Sequence, residues 1–344
     1  MPHATPIEGR VVCFGELLLR LSPPGQELPL QSARLDARFG GAEANVAASL
    51  AVLGHPSAVA SALPDHTLGH ACAAELRRHG VDTGGIGYAP GRMGLYFLWP
   101  GAMQRPSEVI YDRAGSVFAT TPAEAYDWPR LLAGAAWLHL SGINLALGDT
   151  AARAALAAVQ AANAAGVAVS FDCNYRARLW GERAAEAPAL LRQLLAGADL
   201  VFGNERDIAL ILGGTFAQDD PLERFRAATE QAFAAFPRLR RMAATDRTHH
   251  DVDTQDLRGF LATRDGVRST RAFRLTRIVD RIGGGDAFAA GLLHGLLHGS
   301  DAQDTLDFAI AAACLKHSVP GDVNLLGEAH MRAFLAQEGF EVKR

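Results

Sequence analysis

Four cysteines in 344 residues, Cys13, Cys72, Cys173 and Cys314, stand far apart, and no two form a Cys-x-x-Cys pair. That spacing suggests neither a disulfide framework nor a zinc knuckle, and the apolar neighbours of Cys13, Cys72 and Cys314 point to buried thiols. Positive charge is in slight deficit: the formal net charge is −4, which argues against a general nucleic-acid binder. No apolar run is as long as a membrane span, and the stretch from Met1 to Gly9 has no signal-peptide core, so the sequence predicts a cytoplasmic protein without membrane association. The commonest phosphate-binding signatures are missing too. No Gly-Lys-Ser/Thr follows a glycine loop, and no Gly-x-Gly-x-x-Gly follows a strand. Aromatics make up only 7% of the chain, yet its 49% hydrophobic content suffices for a well-buried core, and there is no internal repeat.

What is present centres on Asp280-Arg-Ile-Gly-Gly-Gly-Asp286, followed at once by the apolar run Ala287 to Leu297, which reads as a buried helix. Three glycines before a helix permit positive φ and leave bare N–H groups where the first turn already favours anions. Asp286 sits at the mouth of that hole, placed to take a proton from an alcohol attacking a phosphoryl group. The stretch therefore suggests phosphoryl transfer to a hydroxyl. The same residues also read as a flexible loop with an Asp cap.

Upstream, Val11-Val-Cys-Phe-Gly15 has the continuous apolar character of a buried parallel strand, and Gly40-Gly-Ala-Glu-Ala-Asn45 feeds a helix ending at Gly54. Extended pieces around Leu18 and Leu35, with a hairpin of Gly94–Trp99 and Glu108–Arg113, predict a small sheet of four strands. From Ala135 onward strands and helices alternate: strands at 137–141, 167–172, 200–202 and 241–244, helices at 150–165, 187–195 and 205–212. That order predicts an α/β fold with ligands at the carboxyl ends of the strands. The polar stretch Thr245–Thr254 reads as a turn. Its His249, His250, Asp251 and Asp253 have no spacing that fits a metal-binding helix face, so an ordinary polar turn is the better reading.

Asp280-x-x-Gly-x-Gly-Asp286 resembles the C-terminal signature of the ribokinase-like (PfkB) carbohydrate kinases, with Arg281 where Thr is usual, and the Gly40–Asn45 stretch resembles their N-terminal signature. The resemblance implies a ribokinase-like fold, with a mostly parallel central sheet flanked by helices. It also implies one kinase domain across residues 1–344, with a small β-sheet lid built from about 16–39 and 93–114. A lid keeps water from competing as the phosphoryl acceptor. By the same resemblance Asp286 is the catalytic base, the amides of Gly283, Gly284 and Gly285 hold the transferring group, and Gly40, Gly41 and Asn45 line the sugar. Asn204 and Asp207 stand where the family organises Mg²⁺, largely through water, with Asp replacing the usual Glu. Asp280 is implied as a ligand of a monovalent cation such as K⁺, or else as a turn cap. The usual glycine-containing nucleotide loop is replaced by Ala244-Thr-Asp-Arg247, which puts Arg247 near the ATP phosphates, while Lys316, His317 and Gly321 fall where the family places adenine.

Tyr96, Tyr111, Arg113 and Arg176 gather at the implied sugar pocket, and guanidinium forks and phenols suit a carboxylate better than a neutral polyol. A sugar acid is the expected substrate. The wider pattern, including Lys316-His-Ser-Val-Pro-Gly-Asp322, is similar to the 2-keto-3-deoxygluconate kinase branch of the family. That implies MgATP-dependent phosphorylation of the 6-hydroxyl, small-molecule partners only, and a homodimer through the lid or a higher homo-oligomer. The alternatives are a kinase for fructose or 2-keto-3-deoxygalactonate, and a non-catalytic sugar-binding relative.

Overall fold

A computed structural model describes residues 7–336. Its main sheet has ten strands. β1 (Arg10–Phe14), β4 (Ser57–Pro64), β5 (Asp82–Ala89), β8 (Ala135–Ser141), β9 (Ala168–Asp172), β10 (Leu200–Phe202) and β11 (Arg241–His249) all pair in parallel. Beyond β11 lie β12 (Gln255–Thr263), β13 (Gly266–Ser269) and β14 (Phe273–Leu275), all antiparallel. The spatial order runs β13-β12-β11-β10-β9-β8-β1-β4-β5, with β14 also paired to β12.

Alternation along β1 shows why the sheet is covered twice. Val12 and Phe14 point into one apolar core with Leu138, Leu140, Val169 and Phe171, whereas Val11 and Cys13 point into a second with Val59, Trp137 and Leu200. A strand apolar on both faces requires helices on both sides. The first core is closed by helices including Asp149–Ala164, Ala187–Leu195 and Pro221–Ala235, and the second by Ala42–Val52, Thr67–Arg78, Gly284–Leu297 and Ala302–Lys316. All four cysteines are free and buried, and among the described residues no helix is long and apolar enough to cross a membrane.

The small sheet is separate. It joins β2 (Leu18–Ser22), β3 (Asp36–Gly40), β6 (Gly94–Trp99) and β7 (Glu108–Asp112) in the order β3-β2-β6-β7, with only the β2–β6 pair parallel. Its own apolar patch, Leu18, Tyr96 and Leu98, packs with Val109, Tyr111 and Ile282. Ile282 belongs to the loop before helix Gly284–Leu297, so the small sheet touches the glycine loop directly.

One boundary differs from the sequence reading. Residues Thr245–Thr254 are not all turn: β11 continues to His249, and only the stretch after it turns back into β12. An antiparallel ribbon that leaves the core is stabilised by cross-strand pairs rather than by apolar residues. Asp246 stands opposite Arg258 and receives its hydrogen bond at 3.0 Å, and His250 meets Asp256 at 2.8 Å.

Candidate active site

The helix Gly284–Leu297 begins at Gly283, which is left-handed at φ 80°. A Cβ there would lie 1.8 Å from the Asp322 carbonyl oxygen, so both the conformation and the close approach require glycine. Gly285 is exposed, and a Cβ on it would meet nothing within 4 Å. The first turn of this helix therefore opens onto free space. The helix Ala42–Val52 starts likewise from Gly41, at φ 149°, with the Glu16 carbonyl 2.4 Å from where a Cβ would stand.

The two helix starts meet. Asn45 Nδ2 donates to Asp286 Oδ2 at 2.7 Å, while Asn45 Oδ1 is buried with no partner among the described residues. An orphan acceptor beside a carboxylate is the feature a bound hydroxyl would satisfy. Burial pushes the Asp286 carboxyl up to about 7, with the charges of Glu43 and Asp322 adding to the shift and the Asn45 bond and Arg176 opposing it.

Asp286 does not stand alone. The carboxyl ends of β8, β9 and β10 are aligned, with Ser141 opposite Asp172 and Asp172 opposite Phe202. Burial raises Asp172 to about 8, and the charges of Asp286 and Asp207 push it further. Burial lifts Asp207 to about 6 against the bond from the Asn204 amide. Arg176, exposed and bonded through Nε to Asn174 Oδ1 at 2.9 Å, favours the charged form of all three acids. Arg247 reaches solvent near the same group. Lost hydration beside packed protein, then the charges of Arg176 and Arg281, hold it below its ordinary value.

Asn204 and Asp207 are tied to each other. Asn204 Oδ1 accepts from the amides of Arg206 and Asp207 at 2.9 and 3.4 Å, and Asp207 Oδ2 accepts from the Asn204 amide at 2.8 Å. This capping box starts helix Glu205–Leu212; it uses the only side-chain oxygen of Asn204 and leaves Asp207 its second oxygen.

A second group of charges locks the small sheet to the glycine loop. Buried Arg20 pairs with Asp280 Oδ2 at 2.8 Å and Asp322 Oδ1 at 2.7 Å, and its Nε donates to Ser22 Oγ at 2.9 Å. Burial works against the Arg20 charge, and the two carboxylates more than offset it. The Tyr96 hydroxyl donates to Asp322 Oδ2, and that carboxylate also fills the space a Cβ on Gly40 would need. Asp280 further accepts from the amides of Ile282 and Gly321, each at 3.0 Å. Beneath the loop, fully buried Lys316 points its ammonium at the carbonyl oxygens of Val319 and Asp280, at 3.1 and 3.5 Å. His317 is buried under Gly284, held between Gln255 and the Ala313 carbonyl. Tyr111 stands opposite Tyr96 in the register and packs on the same patch.

Arg113 is buried, and its Nε donates to Glu16 Oε2 at 2.6 Å, while Ser116 Oγ donates to the other oxygen of Glu16. Among the described residues its Nη groups make no hydrogen bond to the protein. Beside it, the Glu43 carboxyl, raised by burial, accepts from Ser141 Oγ at 2.6 Å. Arg281 ties the β11–β12 turn to the loop, donating from Nη2 to the Asp251 carbonyl at 3.0 Å. A cavity of about 1020 Å³, lined by Arg20, Arg38, Asp251, Asp280 and Arg281 among others, lies to the side of this group, since Asp286 is not in its wall.

The Asp286 environment has a consequence for stability. An unfolded chain ionises an aspartate near 4, and the native one ionises at about 7. Ionisation therefore costs native stability as pH rises between those values, and the cost is complete above about 7. Asp286→Asn removes it, so at pH 8 the variant should melt higher than the parent, by on the order of 5 °C, and the gain should vanish at pH 4. A melting difference that does not change with pH would contradict this environment.

Known proteins agree with the geometry. The chain matches the pfkB family carbohydrate kinases over residues 8–327. It is 34% identical over 315 residues to the 2-dehydro-3-deoxygalactonokinase of Haloferax volcanii, covering 91% of this chain and 92% of that one. The crystal structure of 2-dehydro-3-deoxygluconokinase from Thermotoga maritima superposes with a TM-score of 0.91 at 38% identity, over 95% of this chain and 99% of that one. A fructokinase from Xylella fastidiosa with bound ATP shares the fold, at a TM-score of 0.78 and 23% identity over 96% and 99% of the two chains. The chain therefore belongs to the pfkB family of carbohydrate kinases, with the ribokinase-like fold that goes with it.

Proposed function

We propose that the chain transfers the γ-phosphoryl group of ATP to the 6-hydroxyl of 2-keto-3-deoxygluconate, the sugar acid also called 2-dehydro-3-deoxygluconate, giving the 6-phosphate and ADP. The observation that carries this reading is Asp286 at the open mouth of a glycine-started helix, bonded to Asn45 at 2.7 Å. Asp286 takes the hydroxyl proton as the sugar oxygen bonds to phosphorus and the bond to the ADP oxygen breaks. A base that titrates at about 7 is matched to that task at neutral pH. The amides of Gly283, Gly284 and Gly285 face the charge that develops on the phosphoryl oxygens. Asn45, with its unpartnered Oδ1, orients the sugar, and Gly40 and Gly41 let it approach the backbone.

The three neighbouring carboxylates favour a divalent cation, because Asp172, Asp207 and Asp286 lie in one electrostatic group. Asp172 and Asp207, with Asn204, would hold Mg²⁺ through water, and the ion when bound offsets phosphate charge. Arg247 would face the phosphates. The small sheet acts as the lid over the sugar. Arg113 presents the free edge of its fork to the acid, with Tyr96 and Tyr111 on the adjoining face and Arg176 across the site.

Asp280 was expected either at a monovalent-cation site or as a turn cap, and it accepts from the Ile282 amide at 3.0 Å. Its carboxylate is paired with Arg20 and its carbonyl receives Lys316, so a tethered ammonium supplies positive charge there. Turnover should change less than about twofold when KCl is replaced by a tetramethylammonium salt; strong activation by K⁺ would refute this role for Lys316.

Phosphorylation of the C4 epimer, 2-keto-3-deoxygalactonate, is the second reading, favoured by the 34% identity to a galactonate-type kinase. ADP release from MgATP should be fast with one or both of these acids and at least about a hundredfold slower with fructose, and Arg113→Ala should raise KM for the acid far more than for fructose. Efficient turnover of fructose alone would overturn the sugar-acid reading.

A further inference from the structure

At the far ends of the two helices that bring Asn45 and Asp286 together, three histidines converge. His294 and His298 are one turn apart near the C-terminal end of helix Gly284–Leu297, and His55 follows helix Ala42–Val52. Their ring nitrogens lie within 4.8 Å of one another, the only such group among the described residues. His55 Nε2 and His294 Nδ1 are 2.9 Å apart, and tetrahedral Zn²⁺ with bonds of about 2.0–2.1 Å sets its donors roughly 3.3 Å apart. His298 turns its Nδ1 to the His294 carbonyl at 3.0 Å, the kind of outer bond that fixes a tautomer and leaves Nε2 for a metal.

One hydrogen bond joins His55 Nε2 to His294 Nδ1, and it leaves part of the cluster unexplained. His294 is 2% exposed and its Nε2 has no partner. One side is closed by Phe308, stacked on His294 with ring centroids 4.3 Å apart, and Arg332 lies over Phe308 while paired with Glu328. The other side is open, since His55 is half-buried and His298 is exposed.

We infer that His55, His294 and His298 form a binding site for a divalent transition-metal ion, with Zn²⁺ the best match and a fourth position open to solvent. Three imidazoles discriminate against Mg²⁺, which prefers oxygen donors, so the site is chemically distinct from the carboxylates around Asp286. Eight residues of helix separate Asp286 from His294, about 12 Å along the axis. The ion clips the two helices at the ends opposite the reacting groups.

Calorimetric titration of the full chain with ZnCl₂, in excess Mg²⁺ and after treatment with a chelator, tests the assignment. One Zn²⁺ per chain is expected, in the micromolar range or tighter, with affinity at least about tenfold weaker in His298→Ala and in His55→Ala. Co²⁺ should give the intense visible bands of a four-coordinate site, lost in His298→Ala. His298 is exposed, so this variant should fold, and Asp286→Asn should bind Zn²⁺ like the parent. Failure of the parent to bind Zn²⁺ at micromolar concentration, or equal binding by both histidine variants, would overturn the site. Either result leaves the proposed kinase reaction untouched.

Discussion

Two buried carboxylates, Asp280 and Asp322, share the guanidinium of Arg20, and the arrangement of the candidate site depends on that pairing. Arg20 lies on the small sheet, Asp280 opens the glycine loop and Asp322 follows the helix Ala302–Lys316. Burying three charges is costly, and the cost is met only when each has its partner in good geometry. Tyr96 on Asp322, the Ile282 and Gly321 amides on Asp280, and Lys316 on the loop carbonyls complete the set. No member can shift alone without stranding a charge. The Asp322 carbonyl presses against Gly283 in consequence, which fixes the left-handed turn that starts the helix.

That turn sets the chemistry. A helix start with an open side presents amides to an anion, and the next helix start delivers Asn45 to Asp286. Three acids and the guanidiniums of Arg176 and Arg247 then face one another at the ends of adjacent strands. Burial first, and like charges after it, raise Asp172 and Asp286 and lower Arg247, an unfavourable arrangement in both signs of charge. Phosphate and a divalent cation are the pair that would relieve it.

Much of this was legible in the sequence. The Gly40–Asn45 and Asp280–Asp286 stretches carried the helix starts and the family, and the apolar strand β1 announced a doubly covered sheet. Other features were silent for physical reasons. Arg20 and Asp322 are 302 residues apart, and no local pattern tells a buried arginine in a strand from a solvated one. The pairing of Arg113 with Glu16, 97 residues away, is equally invisible to a local pattern. Asp172 looked like a strand end and is part of the acidic group. The outer half of β11 was hidden because an antiparallel ribbon in water needs no apolar alternation.

If Asp286 is the base and other residues bind the two substrates, its loss slows transfer without loosening either substrate. Rapid-quench measurement of phosphoryl transfer from γ-labelled ATP to 2-keto-3-deoxygluconate by Asp286→Asn tests it most directly, with the Kd of each substrate determined on the same protein. The transfer rate should fall by at least about 10³ with both Kd values within a few-fold of the parent. Transfer within tenfold of the parent rate would contradict it.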